Sequence, residues 1–262
     1  MSLATIPVAR YRVPSGRQQL VVHVLLILAL AAAWQSLVDA GVLKAIIFGR
    51  PTGVFRYLVR LLTDLATARA LAFTMSEVVA GLGLGAVAGI ALGIVLTRVR
   101  ALRGSIDPVV LGLYTLPRIA LVPLFIVWFG LGMPSKIAAV FLHGFVIFLL
   151  GTYATIDSVD RVLVSNLWML GASRWEIVRH VYLPWAWTHL FTSFRQALGL
   201  GIGTAVVAEL IGSFEGVGYE IGLRLGAFDM NGTFAWVLIV ASLAVVLDRI
   251  ATQFERRLLR WR

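Results

Sequence analysis

Long apolar runs recur along the whole 262-residue chain, and short polar stretches rich in arginine separate them. A helix needs about 20 mainly apolar residues to cross a hydrocarbon layer of roughly 30 Å. The runs that approach or exceed this length lie at residues 20–38, 72–96, 106–129, 137–156, 190–211 and 234–254. We therefore predict an all-α polytopic bundle with about six membrane-spanning helices. Asp248 interrupts the last run, so we expect that helix to tilt or to bury the carboxylate against a neighbour.

Basic residues indicate how the bundle is oriented, because short cytoplasmic loops carry an excess of lysine and arginine. With the N-terminus inside, the cytoplasmic side carries Arg98, Arg100, Arg103, Arg161, Arg174, Arg179, Arg249, Arg256, Arg257, Arg260 and Arg262. The connection between the first two spans is also basic, which runs against the rule. The spacing of Arg56 and Arg60 favours a helix that lies flat at the outer interface, and long connections set topology less strongly.

This topology divides the chain into four parts. Residues 1–19 form a basic cytoplasmic tail, and residues 20–70 hold the first span and an outer connecting segment. Residues 71–254 form the transmembrane core, which includes a cytoplasmic loop at residues 157–187. Residues 255–262 form a second basic cytoplasmic tail. Both termini are therefore expected in the cytoplasm.

Composition supports a membrane protein and excludes several kinds of chemistry. Hydrophobic residues make up 60% of the chain and charged residues 14%. The formal net charge of +10 does not indicate a nucleic-acid partner, because the arginines flank the apolar runs, where they set topology. There is no cysteine, which excludes disulfides and cysteine-based metal sites. The four histidines lack metal-binding spacing, so we predict no metal site.

The sequence also lacks the motifs of an energy-converting or hydrolytic enzyme. It contains no GxxxxGK[ST] phosphate-binding loop and no nucleophile elbow. We therefore predict no catalytic residue and no cofactor bound by this chain itself.

Glycine recurs every four residues in the second predicted span, at Gly81, Gly85, Gly89 and Gly93. This spacing places the glycines on one helix face and leaves that face without side chains. Another helix can then approach closely, which is a common basis of helix packing in membranes. The alternative is that the glycine face lines a translocation path.

The loop at residues 157–187 has the pattern of two short helices. Asp157 or Ser158 can cap the first helix, and Gly171 ends it. Ser173 and Glu176 have the spacing of a capping box, which begins the second helix.

We expect Pro184 to end that second helix. The sequence thus predicts a compact helix–turn–helix on the cytoplasmic face.

Four segments resemble the permease subunits of ATP-binding-cassette (ABC) importers, in the nitrate, sulfonate, taurine and bicarbonate branch. They are TMSEVVAGLGLGAVAGIALG at 74–93, PRIALVPLFIVWFGLGMPSKI at 117–137, GASRWEIVRHVYLP at 171–184 and VVAELIGSFEGVGYEI at 206–221. The similarity spans most of residues 70–262. The family's coupling loop has the form EAA, three residues, glycine, about nine residues, and an apolar residue with Leu-Pro. This chain departs from it at Ser165-Asn166-Leu167, where the family has EAA.

The resemblance implies that the loop docks on a separate ATPase. The residues carried over to this coupling loop are Ser165, Gly171, Ala172, Ser173, Arg174, Glu176, Leu183 and Pro184. It also implies two cytoplasmic ATPase subunits that bind ATP and Mg²⁺, a second permease subunit, by default another copy, and an extracytoplasmic substrate-binding protein. The expected location is the inner membrane of a bacterium. The missing acidic residue means that the electrostatic part of the docking differs from the family's pattern.

Polar side chains inside the spans are candidates for the translocation path, because charge at membrane depth is costly unless it faces protein or water. These candidates are Arg118, His143, Arg195 and Glu209. An arginine can attract an oxyanion. In the alternative interpretation, the arginines pair with Glu209, Asp248 or Asp107 as structural contacts or extend to the membrane interface, and His143 is a packing residue.

The resemblance favours a small oxyanion substrate such as a sulfonate, taurine, nitrate or bicarbonate. The same branch also includes importers of thiamine precursors and aromatic carboxylates. A secondary transporter that couples ions through buried charges is the alternative class.

Overall fold

The structure, a computed structural model, describes residues 16–258 of the chain. Residues 1–15 and 259–262, which hold most of the first predicted tail and half of the second, lie outside the described residues. All regular structure within the described part is helical, so the predicted all-α class is confirmed.

Twelve α-helices follow one another between residues 16 and 258. They are α1 (Gly16–Asp39), α2 (Ala45–Phe48), α3 (Pro51–Thr63), α4 (Leu65–Arg98), α5 (Arg100–Thr115), α6 (Val122–Phe129), α7 (Met133–Asp157), α8 (Arg161–Met169), α9 (Arg174–Ile177), α10 (Leu183–Gly212), α11 (Val217–Gly226) and α12 (Met230–Leu258). A 3₁₀ turn at Arg118–Leu121 precedes α6, and a π turn at Val178–Tyr182 joins α9 to α10.

Five of the predicted spans are continuous helices that are long and apolar enough to cross a membrane. The prediction of a single continuous helix for the third span, residues 106–129, is wrong. This region is a broken pair, Leu102–Thr115 and Arg118–Phe129, bent by 89°. Leu116, which precedes Pro117, is extended with ψ of 133°, because the proline ring disfavours the helical conformation of the residue before it. The count of about six spans holds if the bent pair is one of them.

The centre of the bundle is the packing of α4 against α7, and α10 packs on both of them. The four spaced glycines of α4 lie against α7. A Cβ atom on Gly85 would lie 2.7 Å from the Phe145 amide nitrogen and 2.8 Å from the Phe141 carbonyl oxygen. The two backbones are therefore in contact with no side chain between them.

The segment that connects the first two spans packs against the rest of the bundle. Its helix α3 packs on α12 and buries Val54 and Leu61, while Arg56 and Arg60 are exposed on the other side. The Arg50 amide donates a hydrogen bond of 2.7 Å to the Asn231 side chain at the start of α12. In contrast, α1 is exposed along most of its length in this single chain.

The glycine face of α4 generates a first prediction. We expect Gly85→Ala to lower the unfolding temperature of the detergent-solubilised protein, because the added methyl group meets backbone atoms that cannot move aside. Such overpacking typically costs about 1–3 kcal/mol. Gly83→Ala is the matched control, since nothing lies within 4 Å of its added Cβ. Equal unfolding temperatures for the two variants would contradict the close contact between α4 and α7.

Candidate functional site

The first helix of the predicted coupling loop is capped by a different residue from the two expected. The Asp160 carboxylate accepts a hydrogen bond of 2.7 Å from the Val162 amide, and α8 begins at Arg161. The prediction of Asp157 or Ser158 as the cap is wrong, because α7 runs on to Asp157 and both side chains are engaged elsewhere. Asp157 forms a two-point ion pair with Arg103, at 2.9 and 2.7 Å.

The turn of the loop combines a left-handed glycine with a capping box. Gly171 has φ of +83°, a conformation that residues with a Cβ adopt only with strain. The Ser173 amide donates to the Glu176 carboxylate at 2.7 Å, and the Glu176 amide donates to the Ser173 hydroxyl at 3.2 Å. These reciprocal bonds satisfy two backbone donors and hold the turn in one shape.

Pro184 does not end the second helix, contrary to the prediction. The chain continues through the π turn into α10, and residues 174–212 form one long helix. The Leu183 amide bonds to the Val178 carbonyl five residues earlier. This wider turn accommodates the proline ring, which in a regular α-helix clashes with the carbonyl four residues before it. The loop is therefore a hairpin between α8 and the start of the fifth span, and we call residues 160–183 the coupling hairpin.

The coupling hairpin projects from the bundle. No residue of α8 is buried in this chain. Its tip carries large apolar side chains in the open, with Met169 78%, Leu170 82% and Trp175 69% exposed. Contiguous exposed apolar surface of this kind marks a site of protein–protein contact. At its base, the Ser158 hydroxyl accepts a hydrogen bond of 2.8 Å from the Trp185 indole and so ties the end of α7 to α10.

Two of the four predicted path residues lie together. Arg118, at the break between α5 and α6, and His143, in the middle of α7, line a groove of about 410 Å³ that also touches α10. Its other lining residues include Ile119, Gly199, Gly203 and Thr204. We call this feature the Arg118 groove. The Thr204 hydroxyl and the His143 Nδ1 atom are 3.5 Å apart, which places the imidazole against α10.

Arg195 occupies a different position and is fully paired. It forms ion pairs of 3.0 Å with Asp248 and with Glu255, and so joins α10 to α12. One of the alternatives left open by the sequence, a structural pair between Arg195 and Asp248, is the geometry observed.

Glu209, the fourth candidate, lies in a buried polar cluster near the C-terminal end of α10. Its carboxylate accepts a hydrogen bond of 2.7 Å from the Thr74 hydroxyl and another of 2.7 Å from the Gly218 amide. The Val217 amide donates to the same threonine oxygen at 3.0 Å. This group, which we call the outer polar cluster after the orientation predicted from the sequence, consists of Thr74, Glu209 and the first turn of α11. It holds α11 on α4 and α10.

Two members of this neighbourhood were missed by reasoning from the sequence. Glu77 and Lys136 are 0% exposed. The Glu77 carboxyl group lies beside that of Glu209. Lys136 donates to the carbonyl oxygens of Leu131 and Gly212, where a cation stabilises the end of α10. Glu77 is the single acidic residue in the apolar run at residues 72–96, and this pattern could have identified it from the sequence.

Within residues 16–258 no three histidine, aspartate or glutamate side chains meet in a way that could hold a metal ion.

Comparison with known proteins gives a consistent result. Residues 81–260 match the family model described as the binding-protein-dependent transport system inner membrane component. The riboflavin transport system permease protein RibX of Chloroflexus aurantiacus is 34% identical over 163 residues, which cover 62% of this chain and 61% of RibX, less than two thirds of its length. The putative aliphatic sulfonates transport permease protein SsuC of Bacillus subtilis is 31% identical over 231 residues, covering 88% of this chain and 84% of SsuC.

A solved structure shares the fold. It is the structure of a bacterial ABC transporter involved in the import of the acidic polysaccharide alginate. The TM-score is 0.64 at 16% identity, and the match covers 92% of this chain and 96% of the compared chain.

The outer polar cluster generates a second prediction. Thr74→Val removes the hydroxyl that serves both Glu209 and the Val217 amide, while it keeps the shape of the side chain. A buried group left without its partner costs about 1–3 kcal/mol. We therefore expect about tenfold faster amide hydrogen exchange in the segment 213–220.

Thr67→Val is the control on the same helix. Thr67 is also buried, but its hydroxyl has no hydrogen-bond partner among the described residues. We expect this variant to exchange at the wild-type rate. If both valine variants accelerate exchange equally, the Thr74 hydroxyl does not anchor α11.

Proposed function

The chain belongs to the family of inner membrane components of binding-protein-dependent transport systems, the permease subunits of ABC importers, and we propose that it imports a small oxyanion. The resemblance inferred from the sequence is thereby confirmed, as is the fold, which is that of the type I importer permeases. The chain is a transport subunit and not an enzyme. The substrate, the stoichiometry of the complex and the orientation of the chain belong to the proposal.

The observation that carries the proposal is the continuity between the coupling hairpin and the Arg118 groove. The helix of residues 174–212 begins in the hairpin and later contributes Gly199, Gly203 and Thr204 to the groove. A partner that binds the exposed apolar tip of the hairpin can therefore shift the wall of the groove directly. Alternating access requires such a link between the site where a partner acts and the path itself.

The partners in this proposal are two cytoplasmic ATPase subunits, which bind ATP and Mg²⁺, and an extracytoplasmic binding protein. The hairpin faces the cytoplasm together with both chain termini, and α11 faces outward. The acidic residue expected in the family at position 165 is a serine here. Its hydroxyl donates back to the Arg161 carbonyl at 2.8 Å. Docking in this proposal therefore rests on the apolar side chains of the hairpin tip.

A second permease subunit completes the path. The Arg118 groove is open along one side in this single chain, since Leu116, Ile119 and Leu200 are 37%, 46% and 50% exposed. A symmetric pair of copies would close two such grooves against each other, and twofold pairing is the commonest arrangement for homo-oligomers.

The substrate class rests on two supports. SsuC, a relative that matches over most of its length, carries a name for aliphatic sulfonates, and Arg118 supplies a cation inside the groove. Taurine, nitrate and bicarbonate share the same small anionic character. The name of RibX includes riboflavin, so relatives of similar identity differ in what they are named for.

Purification and reconstitution of the tagged full chain test this function. We expect an ATPase subunit and a second permease copy to purify with the chain. In liposomes, with the binding protein supplied, we expect ATP-dependent accumulation of at least one among labelled taurine, methanesulfonate, nitrate and bicarbonate. Accumulation by the chain alone, driven by an ion gradient without ATPase, would overturn the proposal.

The turn of the coupling hairpin generates a third prediction. Gly171→Leu forces a branched side chain into φ of +83°, at a cost of about 1–2 kcal/mol, although the space around it is open. We expect normal membrane insertion, and at least fivefold less solute accumulated per ATP hydrolysed, because the deformed turn no longer docks in register.

Gly171→Asn is the control, since asparagine tolerates the left-handed conformation. We expect this variant to transport at close to the wild-type rate. A leucine variant that also accumulates solute at the wild-type rate would show that the hairpin does not couple the ATPase to transport.

A further inference from the structure

The Arg118 groove holds polar atoms that the protein itself does not satisfy. The Nη1 atom of Arg118 and the Nε2 atom of His143 are buried and have no hydrogen-bond partner among the described residues. Arg118 also forms no ion pair within residues 16–258. Its nearest aromatic neighbour is Tyr114, whose ring centroid is 5.9 Å from the guanidinium carbon. Buried polar groups in proteins are otherwise almost always paired.

The position of these unpaired nitrogens along the membrane-spanning helices makes the missing hydrogen bonds more costly. His143 is ten residues past the start of α7 at Met133, which corresponds to about 15 Å along the helix. Thr204 is eight residues before the end of α10 at Gly212, or about 12 Å. Both distances reach toward the middle of a hydrocarbon layer of roughly 30 Å. A cation at this depth is stable only if it faces water, protein or a bound anion.

The part of the groove wall that α10 contributes leaves room for a solute. Gly199 and Gly203 are one helical turn apart on α10, and nothing lies within 4 Å of a Cβ added to either residue. His143, in contrast, is 8% exposed and is fixed against α10 by Thr204. The groove of about 410 Å³ lies within the usual size range of small-molecule sites.

We propose that the Arg118 groove is a solute-binding subsite, in which the Arg118 guanidinium binds the anionic group of the solute and His143 offers a second polar contact beside the glycine wall. This inference rests on the proposed function and deepens it by placing the anion selectivity in the permease itself. The two glycines keep the path wide enough for the solute to pass, so the subsite attracts an anion without enclosing it.

A dissolved anion fits this subsite better than a lipid phosphate. Lipid headgroups lie at the membrane interface, whereas His143 and Thr204 lie about 12–15 Å along their helices from the outer ends. The occupant is therefore a small anion that enters through water.

The absence of cysteine from the chain allows a direct test. Gly203→Cys introduces a single thiol into the open wall of the groove. The full-length variant, in nanodiscs, is treated with two thiol reagents of similar size, the anionic sulfonatoethyl methanethiosulfonate and the cationic trimethylammonioethyl methanethiosulfonate. The quantity measured is the ratio of the two modification rates. This ratio cancels any effect of Arg118 on the ionisation of the thiol, which influences both reagents equally.

We expect the ratio of the anionic to the cationic modification rate to be about tenfold higher with Arg118 present than in the Arg118→Gln variant. Arg195→Gln is the matched control, because Arg195 is already paired with Asp248 and Glu255, and it should leave the ratio unchanged. A single cooperative unfolding transition for each variant confirms that the variants are folded.

Two further measurements distinguish a dissolved anion from an anionic lipid headgroup as the occupant of the groove. Aqueous methanesulfonate at tens of millimolar should slow the anionic reagent, whereas replacing phosphatidylcholine by phosphatidylglycerol should not. Slowing by the anionic lipid alone would overturn the proposal in favour of a lipid phosphate. A ratio that does not depend on Arg118, or no modification by either reagent, would overturn it outright.

This test needs no ATPase and no binding protein, so its outcome is separate from that of the proposed function. If the complex accumulates solute with ATP but the rate ratio does not depend on Arg118, the proposed subsite is contradicted and the proposed importer function is supported. The opposite result, an Arg118-dependent rate ratio without ATP-driven accumulation, would support the subsite and contradict the proposed importer function.

Discussion

The close contact between α4 and α7 is the constraint on which the rest of the molecule depends. In a membrane, helices gain little from burying apolar surface, so their association relies on close packing. Gly85 and Gly89 let the α4 backbone reach the α7 backbone without intervening side chains. This pair forms a platform to which α10 is added, and α10 carries both the groove wall and the continuation into the coupling hairpin. The site is therefore placed by residues that have no part in its chemistry.

Polar contacts hold α10 at two levels, and two buried nitrogen atoms between these levels have no partner among the described residues. Near the C-terminal end of α10, Glu209 and the carbonyl of Gly212 are bonded to neighbouring elements. Nearer the hairpin, Arg195 is bonded to α12. Between these levels lies the Arg118 groove, in which Arg118 Nη1 and His143 Nε2 have no hydrogen-bond partner among the described residues. Such a distribution separates groups that stabilise the fold from groups that are available to a solute.

Much of the architecture could be predicted because it is encoded locally. Apolar runs locate the spans, and the Ser173–Glu176 spacing identifies the turn of the hairpin. The prolines show where local reasoning ends. At Pro117 the chain bends by 89°, whereas at Pro184 a π turn absorbs the ring and the helix continues. The difference depends on how neighbouring backbone groups are satisfied, which no local pattern specifies. Glu77 was visible as a charge in an apolar run, but its position beside Glu209 arises only from tertiary structure.

The pinning of α10 at Gly212 has a mechanical consequence. The helix from Arg174 to Gly212 is about 57 Å long at 1.5 Å per residue. If this helix swings as a stiff rod about its Gly212 end, the displacement of each residue grows in proportion to its distance from that pivot. Thr204, about 12 Å from the pivot, then moves roughly one fifth as far as Arg174. A large displacement of the hairpin would therefore produce only a small displacement of the part of α10 that lines the Arg118 groove.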